Sequence, residues 1–388
     1  MALEFTNQNA SVPNPPAEQI VYFQVDVNQE NCDSVSADTQ SRLNLLEQEG
    51  FSLSFAELIG TAAAHFRGAA IDLSGVGSQQ AEAQRAWDNL AHCNPRPAYN
   101  SKLDKNRLIV TKSVNNPRAD ALYAEILAVG VGLSIAIDFY DIPLQSWFPT
   151  GLAPTDFAAY DSDGNLIKVE VRGRFARNNW KAAIEKTQHK LKNEKDFNKA
   201  IGVLFAPRES AVTGAADIEI IDPVGEYMNP QKYLQLRSIL CHYAPFFERQ
   251  NYDDFSARLR ELSTIDDTSF AQYLDKGDPV LGDKNIRTHR TFFRYASHRF
   301  EGTAWEGTEW PTALTGVEIP DSKGCFYWAL WDEVTRALKE GRLKDIAEMK
   351  VPFQTFRHEG RVLVLLQDAT ALVWAPTEAD LSPSMFEN

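Results

Sequence analysis

Two carboxylates in the middle of the chain have the spacing to act together. Asp156 stands in Pro154-Thr155-Asp156-Phe157, and Glu170 in Val169-Glu170-Val171-Arg172-Gly173. Side chains alternate faces along a strand, so Lys168, Glu170 and Arg172 share one face while Val169 and Val171 point into a core. Between the two acids lies Asp161-Ser162-Asp163-Gly164, a strong hairpin-turn signal. A hairpin closed there brings Asp156 roughly opposite Glu170. Two carboxylates that close repel unless a proton or a cation lies between them. Oxygen-only ligands favour a hard ion, Mg²⁺ or Mn²⁺, with water completing its shell. Such an ion generates hydroxide near neutral pH and stabilises a pentacoordinate phosphate.

Each residue also has a plainer role. Asp156 can cap a turn after Pro154. Glu170 can pair with Arg172 along an exposed face, although a carboxylate between two valines of a central strand is costly unless paired. The Asp161–Gly164 turn lacks the spacing and terminal Glu of a calcium loop. The histidines show no metal spacing, and Cys241-His242 suits side-by-side packing.

The elements that must position these groups read as follows. Residues 118–138 predict a helix, with Leu122, Ile126, Val129, Leu133 and Ile137 as its apolar stripe and Glu125 beside it. Gly130 and Gly132 permit close packing. Strands are predicted over 144–148, 157–160 and 166–172. A helix follows over 178–195 with Trp180, Ile184, Gln188 and Leu191 on one face, then a buried strand over 200–205. The order is helix, three strands, helix, strand. Before it, the sequence predicts a polar tail over 1–17, strands over 20–27 and 107–114, and helices near 38–48, 53–66 and 78–92. After it, helices are expected near 229–247, 252–263 and 326–348. Strands are expected at 288–296, 361–366 and 370–375, the last two as a closing hairpin. The fold class is therefore α/β (α+β). We divide the chain into a tail (1–17), an N-terminal α+β region (18–114), a core (115–210) and a C-terminal accessory region (211–388).

Taken together, Glu125, Pro154-Thr155-Asp156 and Glu170-Val171-Arg172 resemble the PD-(D/E)XK nuclease superfamily, whose restriction-endonuclease-like core runs αβββαβ. The resemblance covers about 115–207. It implies Asp156 and Glu170 as metal ligands, the Val171 carbonyl as a further one, and Glu125 as support for a second ion or its water. One residue is inserted in the P-D motif, and the family's catalytic Lys falls on Arg172. A lysine can lose its proton when desolvated, whereas an arginine cannot. Arg172 can therefore hold the attacked phosphate but not act as a base. Lys168, Lys186 and Lys190 are the candidates for the missing amine; otherwise the site is catalytically dead. The family's Gln-x-x-x-Tyr variant is absent, because Lys192 follows Gln188 at that spacing.

Local charge points to a polyanionic partner. Residues 165–208 hold eleven Lys/Arg against four acids, a surplus of seven in a chain of formal charge −14. Lys168, Arg174, Arg177, Lys181, Lys186, Gln188 and Lys190 are the candidate nucleic-acid contacts there. A second patch, 288–300, interleaves three Arg with four aromatics and carries no acid. Arg290 and Arg294 are its candidate contacts, and its aromatics could stack on bases.

These readings lead to a Mg²⁺- or Mn²⁺-dependent nuclease cutting DNA, with a restriction or phage-defence setting implied by the resemblance alone. Two alternatives stay open: an inactive nuclease-fold module that binds nucleic acid, and a regulatory protein that docks a partner. A homodimer is compatible with all three. The composition, 44% hydrophobic and 24% charged over 388 residues, excludes global disorder, collagen and coiled coil. The longest apolar run, Ile126 to Ile137, is short for a bilayer. No basic-then-apolar signal opens the chain, so a cytoplasmic protein without membrane contact is expected. Four scattered cysteines without C-x-x-C exclude a zinc ribbon. A Walker A loop, H-E-x-x-H and G-x-S-x-G are all missing.

Overall fold

The computed structural model describes residues 20–28, 37–65, 95–110, 117–150, 156–161, 163–175, 180–193, 197–208, 217–221, 233–250, 252–283, 291–307, 324–351, 353–358 and 361–376. The expected tail and the helix near 78–92 lie outside them. The chain is mixed α+β, with ten α-helices among the described residues and two six-stranded sheets.

The first half runs β1 (Ile20–Phe23), β2 (Val25–Asn28), α1 (Ala37–Glu49), β3 (Phe51–Ser54), α2 (Phe55–His65), β4 (Arg96–Asn100) and β5 (Lys105–Ile109). Then come α3 (Pro117–Tyr140), β6 (Trp147–Pro149), β7 (Phe157–Tyr160), β8 (Leu166–Gly173), α4 (Trp180–Asn193), β9 (Lys199–Phe205) and β10 (Ile218–Ile221). The first large sheet has the order β2-β10-β9-β8-β7-β6. Strands β6, β7 and β8 form an antiparallel meander. Helix α4 then carries the chain over one face, and β9 returns parallel to β8. The sheet mixes orientations further, since β10 is antiparallel to β9 and parallel to β2.

The second half holds α5 (Leu234–Arg249), α6 (Asp253–Thr264), α7 (Asp267–Lys276), α8 (Pro279–Asp283), β11 (Thr291–Tyr295), β12 (His298–Gly307) and β13 (Gly324–Trp331). It ends in α9 (Asp332–Glu340), α10 (Leu343–Ala347), β14 (Gln354–His358), β15 (Arg361–Leu365) and β16 (Thr370–Ala375). Its sheet, ordered β11-β12-β13-β16-β15-β14, is antiparallel throughout. The expected closing hairpin is β15–β16.

Helix α3 is the centre of the core. It is buried nearly all round rather than along one stripe: Ala124, Ile126, Leu127, Ala128, Val131, Leu133, Ile135 and Ala136 are all buried. One flank meets α2 and the other meets β8. Gly132 permits the second contact, because a Cβ there would lie 2.7 Å from Val171 Cγ2. Over Tyr123–Tyr140 this helix is long and apolar enough to cross a membrane, so the length argument from the shorter run does not hold. Its window is 72% buried within the protein, as a core helix requires.

Several expectations need correction. The strand over 20–27 is two strands in different sheets. They part at Gln24, whose N–H donates to Asp217 Oδ2 at 2.9 Å and whose carbonyl accepts from Asp217 N–H at 2.8 Å. The helix near 53–66 begins only at Phe55, after β3. The strand expected over 144–148 opens as one 3₁₀ turn over Leu144–Ser146. The helix expected over 326–348 is strand β13, then α9 and α10. The run Gly324–Trp331 is buried along most of its length, as a central strand is, so it has no period-two signal to separate it from a buried helix. Helix α9 starts where Asp332 and Glu333 place negative charge at its first turn.

The two sheets are tied by α5. The His242 ring lies between the Trp147 carbonyl, which Nδ1 meets, and Asp368, whose Oδ2 is 2.9 Å from Nε2. Asp368 also holds its own turn, accepting from Thr370 N–H at 3.0 Å. The histidine is a structural tie, in keeping with its lack of metal spacing in the sequence.

Candidate functional site

The β7–β8 register pairs Phe157 with Val169, which sets Asp156 across from Glu170. The turn does this: Asp161 Oδ1 accepts from Asp163 N–H at 3.0 Å and from Asn165 N–H at 2.8 Å, closing the hairpin at the expected place. Asp156 N–H donates to the Val169 carbonyl at 3.0 Å. Its Oδ2 accepts from Val171 N–H at 2.8 Å, so the contact seen for Val171 is its amide rather than its carbonyl. Pro154 and Thr155 lie outside the described residues.

Glu170 has no exposed surface. Its Oε1 takes two cations: Lys190 Nζ at 2.8 Å from α4, and Arg172 Nη2 at 2.7 Å from two residues along β8. Its Oε2 is buried with no donor among the described residues. The Asp156 carboxyl is close enough that each acid affects the other's titration. Burial, then the Asp156 charge, pushes the Glu170 carboxyl up to about 7 against the pull of Arg172 and Lys190. Burial also raises Asp156, against the Val171 N–H and the two cations. The pair therefore favours a proton or a cation between its members near neutral pH.

Helix α4 reaches Glu170 because β9 carries Gly202 directly beside it in the sheet. A Cβ on Gly202 would lie 2.6 Å from Thr187 Cγ2. The buried stripe of α4 is Ala183, Thr187 and Leu191, one residue away from the expected Gln188. Gln188 is half-buried at its flank. The outer face is basic: Lys181, Lys186 and Lys192 are exposed, with Lys181 4.0 Å from Glu185.

Other expected residues fall elsewhere. The ion pair of Glu125 is with Arg174 Nη1, at 3.2 Å. Arg174 also donates to the Gly173 carbonyl at 2.8 Å. Lys168 lies on the Glu170 face of β8 but is 8% exposed, so it is not an open surface contact. Arg177 and Arg290 lie outside the described residues. Arg294 is exposed on β11. The aromatic half of the 288–300 patch is corrected for three of its four rings: Phe292 is half-buried under the Arg299 guanidinium, 4.1 Å from its ring centroid, whereas Phe293, Tyr295 and Phe300 are buried, and Phe293 stacks on Phe300 at 5.1 Å. These three buried rings fill the core beneath the β11–β12 hairpin and are not available to bases.

Sequence reasoning missed one charged cluster. Asp217, beside β10, meets the fully buried Arg107 of β5 and also Arg208. The three residues come from distant segments, and Arg107 stands in a mixed Lys105-Asn106-Arg107-Leu108 run that marks no buried partner. Among the described residues, no three His, Cys, Asp or Glu stand close enough together to hold a metal ion by themselves. Compared with family models, curated proteins and solved structures, the chain finds no match in any of the three.

Proposed function

We propose that this protein is a metal-dependent phosphodiester hydrolase acting on nucleic acid, DNA in the first place, on a PD-(D/E)XK-like core. The observation that carries the reading is the Asp156–Glu170 pair, two carboxyls from neighbouring strands meeting beneath a basic helix. The α3-β6-β7-β8-α4-β9 order supports it, with β9 parallel to β8 after an antiparallel meander.

The donor set fits a hard divalent ion. Both side chains offer oxygen, one of those oxygens is buried without a donor, and Mg²⁺ needs only one or two carboxylates because it keeps several waters. Asp156 and Glu170 would hold it, and it would supply an acidified water and charge stabilisation at phosphorus. Arg172, always charged, is suited to a phosphate oxygen. Lys190 supplies beside Glu170 the amine that β8 lacks at 172, and a lysine can give up its proton in a dry site. The exposed lysines of α4 would follow the phosphate backbone. Substituting Glu170→Gln or Asp156→Asn should abolish Mg²⁺-dependent cleavage of plasmid or single-stranded DNA while the circular dichroism spectrum stays native. Undiminished cutting would remove the reading.

One observation favours a second reading. Lys190 and Arg172 already neutralise Glu170, as a metal would. A nuclease-fold module that binds nucleic acid without cutting it needs no more than that. Such a protein would show salt-dependent DNA affinity and no thermal stabilisation by Mg²⁺.

A further inference from the structure

A second acidic site lies on the other flank of α3. The end of α1, strand β3, the first turn of α2, the last turns of α3 and Gln367 between β15 and β16 frame an open cavity of about 350 Å³. Glu49, Glu57 and Asp138 line it, with Leu46, Leu53 and Ile137 as apolar wall between them. Among the described residues none of the three carboxylates is in an ion pair. Arg42 of α1 donates to the Phe139 carbonyl at 2.7 Å.

The simplest reading is a solvated acidic rim, and two features argue against it. Ser134, 5% exposed, also lines the cavity, and its Oγ is buried without a partner among the described residues. A buried hydroxyl without a partner is costly unless something fills the space beside it. Glu57 follows Ser54 at capping-box spacing, and its N–H donates to Ser54 Oγ at 3.1 Å. Among the described residues the reciprocal bond from Ser54 N–H is not made, and Glu57 lines the cavity instead. Burial, then the Asp138 charge, raises Glu57 to about 7. Among the described residues no cation opposes that shift.

The three acids are too spread to share one metal ion. Separated negative charges joined by aliphatic wall match a flexible chain with ammonium groups at intervals. We propose that this cavity binds a linear aliphatic polyamine. One ammonium meets Glu57 and Ser134 Oγ in the depth, the methylenes lie on Leu46, Leu53 and Ile137, and the outer ammonium meets Glu49 and Asp138.

Isothermal titration of the full chain with spermidine, at near-physiological ionic strength, tests this. Saturable binding is expected, weakened about tenfold by Glu57→Gln or by the exposed Asp138→Asn, and severalfold by Ser134→Ala. The heat should vary with the buffer's ionisation enthalpy, because Glu57 releases a proton on binding. The absence of saturable binding would overturn the proposal, as would wild-type affinity in both acid variants. Full displacement of spermidine by Mg²⁺ at matched ionic strength would overturn it too, in favour of screening. A lysine peptide that binds as tightly as spermidine would overturn it in favour of a protein partner.

Discussion

Glu170 carries two opposed demands. Its burial disfavours charge, yet Lys190 and Arg172 are both placed to keep it charged. Removing one partner exposes the imbalance. Lys190→Met should lower stability by about 1–3 kcal/mol in urea denaturation, the cost of an under-compensated buried carboxylate. Lys190→Arg should restore most of that stability through the same ion pair. It should not restore cleavage, because a guanidinium keeps its proton. A purely structural Lys190 would be rescued in both respects. The pH dependence has a definite sign. Asp156 and Glu170 are both raised, so the folded protein holds protons that the unfolded chain releases. The contribution of Glu170 to stability is complete below the ordinary carboxylate range and is lost as pH climbs through about 7, and that of Asp156 has the same sign. An ion replaces the proton, so stabilisation by Mg²⁺ should grow across the same window. Thermal melts between about pH 5 and pH 8, with and without Mg²⁺, measure both trends. A Mg²⁺ effect independent of pH would contradict the shared role of the pair.

Helix α4 can deliver Lys190 only because it sits close to β9. Gly202→Val should push it off Thr187 and cost about 1–3 kcal/mol, with Lys190 drawn away from Glu170. Gly282→Ala in α8, where a Cβ meets nothing within 4 Å, is the control and should change stability by less than about 0.5 kcal/mol. Parallel melts of the two variants decide the point. The legibility of these elements followed their chemistry. The Asp156–Glu170 opposition was readable because Asp161–Gly164 fixes a hairpin, and a hairpin sets register by counting. On α4 Trp180, Ile184 and Leu191 pack on the core as expected, but Thr187 takes the place of Gln188: it counts as polar by type, yet it is the residue that packs on Gly202. Strand β13 reads as helix in the sequence because a strand buried on both faces loses its alternation. The 288–300 segment reads as a surface because Arg and aromatics interleave there, although three of its four aromatics face inward. The Glu57 cavity had no signature at all, since its walls come from separate elements that only the packing of α2 on α3 brings together.

The molecule's charge is divided between an acidic whole and a basic helix beside the carboxylate pair. DNA affinity should therefore fall steeply with salt, and replacing Lys181 and Lys186 by Gln should flatten that slope by about one unit each in a log–log plot. The two sheets share one apolar core and are tied by His242 between Trp147 and Asp368. His242→Ala should cost about 2–3 kcal/mol while leaving the carboxylate pair in place. Calorimetry reads that loss, and a cleavage assay at permissive temperature reads the retained site. The most direct test remains the reaction itself. Wild-type protein and Glu170→Gln are incubated with DNA in Mg²⁺ or in chelator, each after its fold has been verified. Cleavage by the wild type in Mg²⁺ alone, and none by the variant, is the predicted result. Cleavage that survives the substitution or the chelator, or a wild type that cuts with neither Mg²⁺ nor Mn²⁺, would contradict the account.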